Sequence, residues 1–530
     1  MNNSDGPVWP SIAAMTESAA ERFADRTAIV DGGERVTYER LYAEARGFGA
    51  ALVAAGVEPG DRVAIWAFNC REWIVALLGL YQAGATLVPV NTRFKGREAA
   101  DILRRARVRV LVTVTEFLGN DYVAMLRDTG EPLPDLHTVV IARGGPSGSA
   151  VPWGDFLARA TGDDLAEVDR RRAALGPDDP SDVLFTSGTT GTPKGVLMTH
   201  RRTMGVGADW VSMTGLSAGD RYVMVNPFFH MFGFKGGILA CVAAGATMLP
   251  QPTLDVDRVL GQVAAERVTV LPGPPALYHA ILEHPGRGRY DLSSLRVAVT
   301  GAADIPVELI RRVRDELPFS AIITGYGLTE AGTASSTSPD DDPETTATTV
   351  GRPRPGFEIR VVDASGAAAA QGEVGEIVLR GPTTMVGYLD DPGATSAVLS
   401  EDGWLRTGDL GSLDERGCLR IAGRSKDMFI VGGFNAYPAE IEAMLLEHPG
   451  VLQAAVIGVP DERLGQVGMA FIVPREPGLA EADVLAWCRD RMANYKVPRS
   501  VRLIDELPLT ESGKVRKNAL EARAAAERSG

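Results

Sequence analysis

Cysteine and histidine are scarce, with 4 and 6 copies in 530 residues. Cys70, Cys241, Cys418 and Cys488 lie far apart, with neither the C-x-x-C spacing of a zinc or redox site nor the density of a disulfide scaffold. They read as thiols in a reducing cytoplasm. So few histidines and cysteines offer no cluster for a structural or catalytic zinc. Basic residues are outnumbered as well: 54 Lys plus Arg face 68 Asp plus Glu, and the net charge of −14 argues against nucleic acid as a partner. Long hydrophobic runs are missing. The most apolar stretch, 73–90, is interrupted by Gln82, Gly84 and Pro89, and the start MNNSDGPVWPS lacks a basic segment followed by an apolar one, so neither a membrane span nor secretion is expected.

What remains is an ordinary globular composition, 45% apolar and 23% charged, in a chain long enough for two to four domains. Apolar, β-rich runs at 62–66, 108–113, 183–186, 222–226, 268–271 and 295–300 are separated by stretches of helical period, such as 99–106 and 254–265. This alternation predicts an α/β body with buried sheets. After Val350 the texture shifts to short strands and Gly-rich turns, at 372–380 and 418–423. Helical patterns follow at 439–447 and 481–492, as expected of a small α+β tail. The acidic patch 340–344 reads as an exposed loop.

The strongest local signal is Thr186-Ser187-Gly188-Thr189-Thr190-Gly191-Thr192-Pro193-Lys194-Gly195, directly after the strand-like Val183-Leu184-Phe185. Glycines and small hydroxyl residues let a loop close around phosphate oxygens with backbone N–H groups, hydroxyls and one ammonium. It is not a Walker A loop, because Lys194 lies between Pro193 and Gly195 rather than between Gly and Ser or Thr.

With this loop, the blocks Pro227-Phe228-Phe229-His230, Gly301-Ala302-Ala303, Gly325-Tyr326-Gly327-Leu328-Thr329-Glu330, Thr407-Gly408-Asp409, Gly423-Arg424-Ser425-Lys426-Asp427 and Ser512-Gly513-Lys514 follow in order. On these blocks the chain closely resembles the adenylate-forming superfamily of acyl-CoA synthetases, peptide-synthetase adenylation domains and luciferases. The resemblance implies a large N-terminal domain over 1–423, a small mobile domain over 424–530, and a hinge at Lys426. It places the nucleotide on Thr186, Ser187, Gly188, Thr189, Thr190, Gly191, Lys194, Gly301, Ala302, Ala303, Gly325, Tyr326, Gly327, Thr329, Asp409 and Arg424. In these roles Tyr326 stacks near adenine, Thr329 contacts the α-phosphate, and Asp409 and Arg424 serve the ribose. Glu330 is implied as the Mg²⁺ ligand, and a carboxylate suits a hard dication bridging phosphates. Lys514, with Thr329, Glu330 and Lys194, is implied in catalysis, where an ammonium offsets negative charge building on the α-phosphate. The glycine-rich Gly432-Gly433-Phe434 is implied as the tunnel wall for the pantetheine arm of coenzyme A.

The implied reaction joins a carboxylic acid to ATP as acyl-AMP with release of pyrophosphate, and then passes the acyl group to the CoA thiol with release of AMP. The acid pocket is expected around His230, Phe234, Lys235, Gly301, Gly325 and Ala331. Lys235 lies in the apolar run 232–239, where an ammonium needs a partner. A keto, hydroxyl or acidic group of the substrate would serve, and so would an internal carboxylate or escape of the head group to the surface. The stretches 226–241 and 269–285 resemble a narrower group, the bacterial steroid-degradation ligases that activate the propanoate side chain of a hexahydroindanedione. Asp304 departs from the family pattern, in which many members carry Pro after Gly-Ala-Ala. A cyclic, keto-bearing or aryl acid is therefore expected. The other reading is an adenylating enzyme with a carrier protein or amine as acceptor, or one that adenylates nitrite for an arylamine. Only sixteen residues follow Lys514, so a carrier would act in trans. A homodimer stays open, and a degenerate nucleotide-binding regulator is disfavoured because Lys194, Glu330 and Lys514 are all present.

Overall fold

Strands whose two faces are both covered need apolar residues at every position rather than at alternate ones. Val108–Val114 is buried at all but one position, and Thr86–Pro89 at all four. The computed structural model, which describes residues 8–186, 193–301, 307–363, 365–424, 429–436, 438–508, 515 and 517–529, carries these runs at the centres of large sheets.

The chain divides into two compact units. The first comprises Met1–Thr92, Ala100–Phe185 and Gly195–Ala422; the second comprises Arg93–Ala99, Thr186–Lys194 and Gly423–Gly530. A nine-stranded sheet runs in the order Arg352–Pro353, Gly332–Ser336, Ala321–Leu328, Val297–Gly301, Val270–Pro272, Arg221–Met224, Thr247–Pro250, Thr27–Asp31, Glu34–Thr37. An eight-stranded sheet runs Gly387–Tyr388, Lys194–Thr199, Pro180–Thr186, Thr86–Pro89, Arg62–Trp66, Val108–Val114, Thr138–Arg143, Val151–Pro152. Their interiors are parallel: Arg62 pairs with Thr86 on one side and Val108 on the other, and Val297 pairs with Val270 and Ala321. Helix Arg71–Gln82 connects two of these strands and is buried from Glu72 to Gln82. It packs against helices Ile12–Phe23, Tyr38–Ala54 and Gly162–Ala174 as well as the sheet, so it has no face left for water. A four-stranded antiparallel sheet, Glu358–Val362, Gly375–Arg380, Leu405–Leu413 and Leu419–Arg424, accounts for the change of texture after Val350.

The second unit is α+β. Phe429–Val431, Phe434–Ala436, Val451–Asp461 and Gly465–Pro474 form antiparallel pairs, and Ser500–Leu503 joins Gly465–Pro474 in parallel. Helices Pro438–Leu446, Glu481–Arg491 and Lys517–Ser529 complete it, and its own core includes Phe429, Val456, Phe471, Val484 and Leu520. Among the described residues no helix is long and apolar enough to cross a membrane.

One element has no counterpart in the sequence reading. Residues Phe234–Leu239 form a π-helix, a rare, wider coil found frequently at functional sites. Glycines make room for it: a Cβ on Gly233 would stand 2.2 Å from the Pro227 carbonyl oxygen, and one on Gly236 would stand 3.0 Å from the Trp210 ring.

Candidate active site

In a parallel sheet the carboxyl ends of the strands, with the loops that leave them, form the usual ligand crevice. Val297–Gly301 and Ala321–Leu328 end side by side there, with Gly301 in register with Gly325. Two blocks that are separate in sequence are thus neighbours. A Cβ on Gly301 would approach the Gly325 carbonyl oxygen to 3.0 Å, and one on Gly327 would press to 2.4 Å from that of Gly332. Thr329, Glu330 and Ala331 make the turn into the returning strand Gly332–Ser336. That turn is anchored from outside: the Met385 N–H donates to the Glu330 carbonyl at 2.7 Å, and the Thr383 hydroxyl donates to that of Ala331 at 2.6 Å.

Tyr326 and Asp409, taken from different blocks, touch. The phenol donates to Asp409 Oδ2 at 2.6 Å, a length typical of O–H donation to a charged carboxylate. Asp409 is only 4% exposed, and its backbone N–H donates to the Thr407 hydroxyl at 3.0 Å, which holds the main chain while the phenol holds the carboxylate. Glu330 Oε1 accepts from the Tyr388 hydroxyl at 3.0 Å. Tyr388 belongs to the two-residue strand Gly387–Tyr388, held against Val196 by the eight-stranded sheet. Sequence reading missed it, because a lone Gly-Tyr pair carries no period or spacing that separates it from a turn.

Thr186 closes its strand and Lys194 opens the next, and the Thr186 hydroxyl donates to the Lys194 carbonyl at 3.5 Å. Ser187, Gly188, Thr189, Thr190 and Gly191 lie outside the described residues, as do Ala302, Ala303, Lys426 and Lys514. Arg424 ends the strand Leu419–Arg424.

On the side assigned to the acid, His230 caps the short helix Met231–Gly233, its Nδ1 accepting from the Phe232 N–H at 3.2 Å. The residue is exposed at the surface, yet desolvation by the surrounding protein pushes the imidazole down to about 4, so the ring is neutral at pH 7. Gly301 and Gly325 also keep accessible surface, whereas Phe234, Lys235 and Ala331 are buried. The partner of Lys235 is internal. Its Nζ stands 2.8 Å from Asp182 Oδ2, with side-chain exposures of 1% and 0%. Burial lowers the ammonium's pKa and the Asp182 charge opposes that fall. Of the partners open to this lysine in the sequence, the structure supplies the carboxylate, so the ammonium does not depend on a substrate group for its charge.

A family model described as AMP-binding enzyme matches residues 16–389, and one described as AMP-binding enzyme C-terminal domain matches 440–514. The chain belongs to the AMP-binding enzyme family. Among its relatives is a 3-[(3aS,4S,7aS)-7a-methyl-1,5-dioxo-octahydro-1H-inden-4-yl]propanoyl:CoA ligase of Rhodococcus jostii, 50% identical over 508 residues, which are 95% of this chain and 96% of that protein. A protein of the same name from Mycobacterium tuberculosis is 48% identical over 96% of this chain and 98% of its own length. Among solved structures, an amide bond synthetase from Marinactinospora thermotolerans is similar with a TM-score of 0.83 and 30% identity, covering 96% of this chain and 99% of that one.

For an AMP-binding enzyme the geometry is chemically coherent. The Tyr326–Asp409 pair presents an aromatic face beside a fixed carboxylate, which suits a purine nucleoside. Among the described residues no three His, Cys, Asp or Glu side chains gather to hold a metal. Mg²⁺ needs no such cage, since it commonly binds through one or two carboxylates together with substrate phosphates, and Glu330 fits that pattern. In the second unit, Gly432 and Gly433 have φ of 56° and 85° and join strands Phe429–Val431 and Phe434–Ala436. Two successive positive φ angles at a hairpin tip call for glycine, so these residues have a local structural cause whatever else they line. Phe434 stacks on Tyr495 with ring centroids 5.0 Å apart.

Proposed function

We propose that this AMP-binding enzyme is an ATP-dependent acid:CoA ligase whose acid is a bicyclic, keto-bearing propanoate of the hexahydroindanedione class. The observation that carries the reading is the identity of 50% and 48%, over nearly whole chains, with two enzymes named for that reaction. In this reading 1–423 form the adenylating domain and 424–530 the mobile one, pivoting at Lys426. The Thr186–Gly191 loop and Lys194 hold the phosphates, Tyr326 and Asp409 hold the nucleoside with Arg424, and Thr329 contacts the α-phosphate. Glu330, oriented by Tyr388, would hold Mg²⁺, which screens phosphate charge when bound. Attack of the substrate carboxylate on the α-phosphate concentrates negative charge, and Lys514 offsets it by position rather than by proton transfer. The CoA thiol, entering past Gly432 and Gly433, then displaces AMP. His230 is neutral and borders the acid, so it offers ring faces and an uncharged nitrogen to an uncharged ring system. We assign the enzyme to the cytoplasm.

The test is a panel of acids assayed for pyrophosphate and AMP release with and without CoA: fatty acids, aryl acids, bicyclic keto-propanoates, and nitrite with an arylamine. Turnover that requires CoA and favours the bicyclic keto-propanoate is expected. Pyrophosphate release indifferent to CoA, or preference for a straight-chain fatty acid, would overturn the reading.

A further inference from the structure

Three chain elements converge on one buried carboxylate. Asp182 sits in strand Pro180–Thr186. Helix His200–Thr214 sends Thr203, whose hydroxyl donates to Asp182 Oδ1 at 2.5 Å, and the neighbouring Ser181 Oγ lies 2.8 Å from the same oxygen. The π-helix Phe234–Leu239 sends Lys235, whose Nζ is 2.8 Å from Oδ2. Ser181, Asp182 and Thr203 are wholly buried, and Lys235 is 1% exposed.

Opposite charges without water keep each other in place, because neither is tolerable alone and their attraction falls with separation in a poorly screening interior. There is little slack around them. A Cβ on Gly207, in the same helix as Thr203, would stand 3.3 Å from the Lys235 carbonyl oxygen, so the helix and π-helix backbones are nearly in contact. Each of the three elements also leads to a stretch assigned to ligand. Strand Pro180–Thr186 runs into the phosphate loop, strand Lys194–Thr199 leaves that loop and continues into helix His200–Thr214, and the π-helix begins four residues after His230.

We propose that Asp182 is a positioning residue that, through Lys235 and Thr203, locks the phosphate-loop strand to the acid-side π-helix, so that the nucleotide and acid sites are built as one unit. The proposal rests on the reading of 186–195 as the phosphate loop. It assigns Lys235 to the frame of the site and not to the substrate. Disturbing either charge damages both ligand sites together, and removing both charges relieves the damage.

The full-length enzyme and the variants Asp182→Asn, Lys235→Met and the combined pair are compared by calorimetry with Mg·ATP alone, by kcat/KM for the acid, and by urea unfolding. Each single variant should weaken ATP binding and acid turnover together by about tenfold or more, and the combined variant, which strands no buried ion, should return to within about threefold of the parent. If a single variant does not fold, Thr203→Val, which keeps both charges and removes one donor, is read in the same assays and should weaken both sites by a smaller, parallel factor. Additive losses in the combined variant would overturn the proposal. So would a rise in acid KM for Lys235→Met with ATP binding untouched, which would assign the ammonium to the substrate. Calorimetry with ATP does not depend on which acid is used, so an error in the proposed acid leaves this readout intact. A parent enzyme that binds no ATP would overturn the loop reading itself.

Discussion

Replacing Tyr326 by Phe deletes one oxygen and leaves the ring, so it separates the hydrogen bond to Asp409 from whatever the aromatic face does. The bond is 2.6 Å long and its acceptor is 4% exposed. Hydrogen bonds to charged groups contribute about 1.5–3 kcal/mol, and a buried acceptor left short of a donor retains its desolvation cost. At about 1.4 kcal/mol per decade this corresponds to roughly 10- to 150-fold in any step that needs Asp409 in place. Tyr326 is half-buried, so water reaches part of the site, and the lower end, about tenfold, is expected in kcat/KM for ATP. The assay is initial pyrophosphate release with ATP varied at saturating acid, repeated with the acid varied at saturating ATP. The loss should appear as a raised ATP KM with the acid KM within twofold of the parent. Asp409→Asn, which keeps the shape and removes the charge, should cost at least as much, and in the combined variant the Tyr326→Phe loss should shrink because its partner is already altered. An ATP KM unchanged in Tyr326→Phe would refute the reading in which the phenol orients Asp409 for the nucleotide.

Two further outcomes follow. His200 is 1% exposed, and desolvation pushes its imidazole from 6.5 to about 4, so the folded protein holds it neutral. Its contribution is therefore fully present above the unfolded value near 6.5 and is lost as pH falls from there through about 4. Urea unfolding should show a loss of about 3 kcal/mol from this group over that window, and His200→Asn should lack that part of the pH slope; parallel slopes in parent and variant would refute it. Lys514→Ala should cut acyl-AMP formation by several orders of magnitude while leaving thioester formation from preformed acyl-AMP largely intact; equal loss of both half-reactions would remove the lysine from its proposed role.

Chemistry that resides in short contiguous stretches was legible before any coordinates. The hydroxyl- and glycine-rich run after Phe185 follows from local requirements, close backbone approach and small side chains on a loop fed by an apolar strand, whereas the Gly325–Glu330 block and the other ordered blocks are legible only through their resemblance to a known family. The α/β body and the α+β tail were legible from local pattern, since helical and strand periods are properties of neighbouring residues. Pairings across the chain were not. The carboxylate that answers Lys235 lies 53 positions earlier, in a strand that reads as merely apolar, and the phenol that orients Glu330 lies 58 positions later in a strand of two residues. The sequence stated that a buried ammonium needs a partner, because desolvating a charge is costly wherever it occurs. Only tertiary structure chose the partner, because the register of a parallel sheet and the width of a π-helix decide which distant side chains arrive within 3 Å of one another.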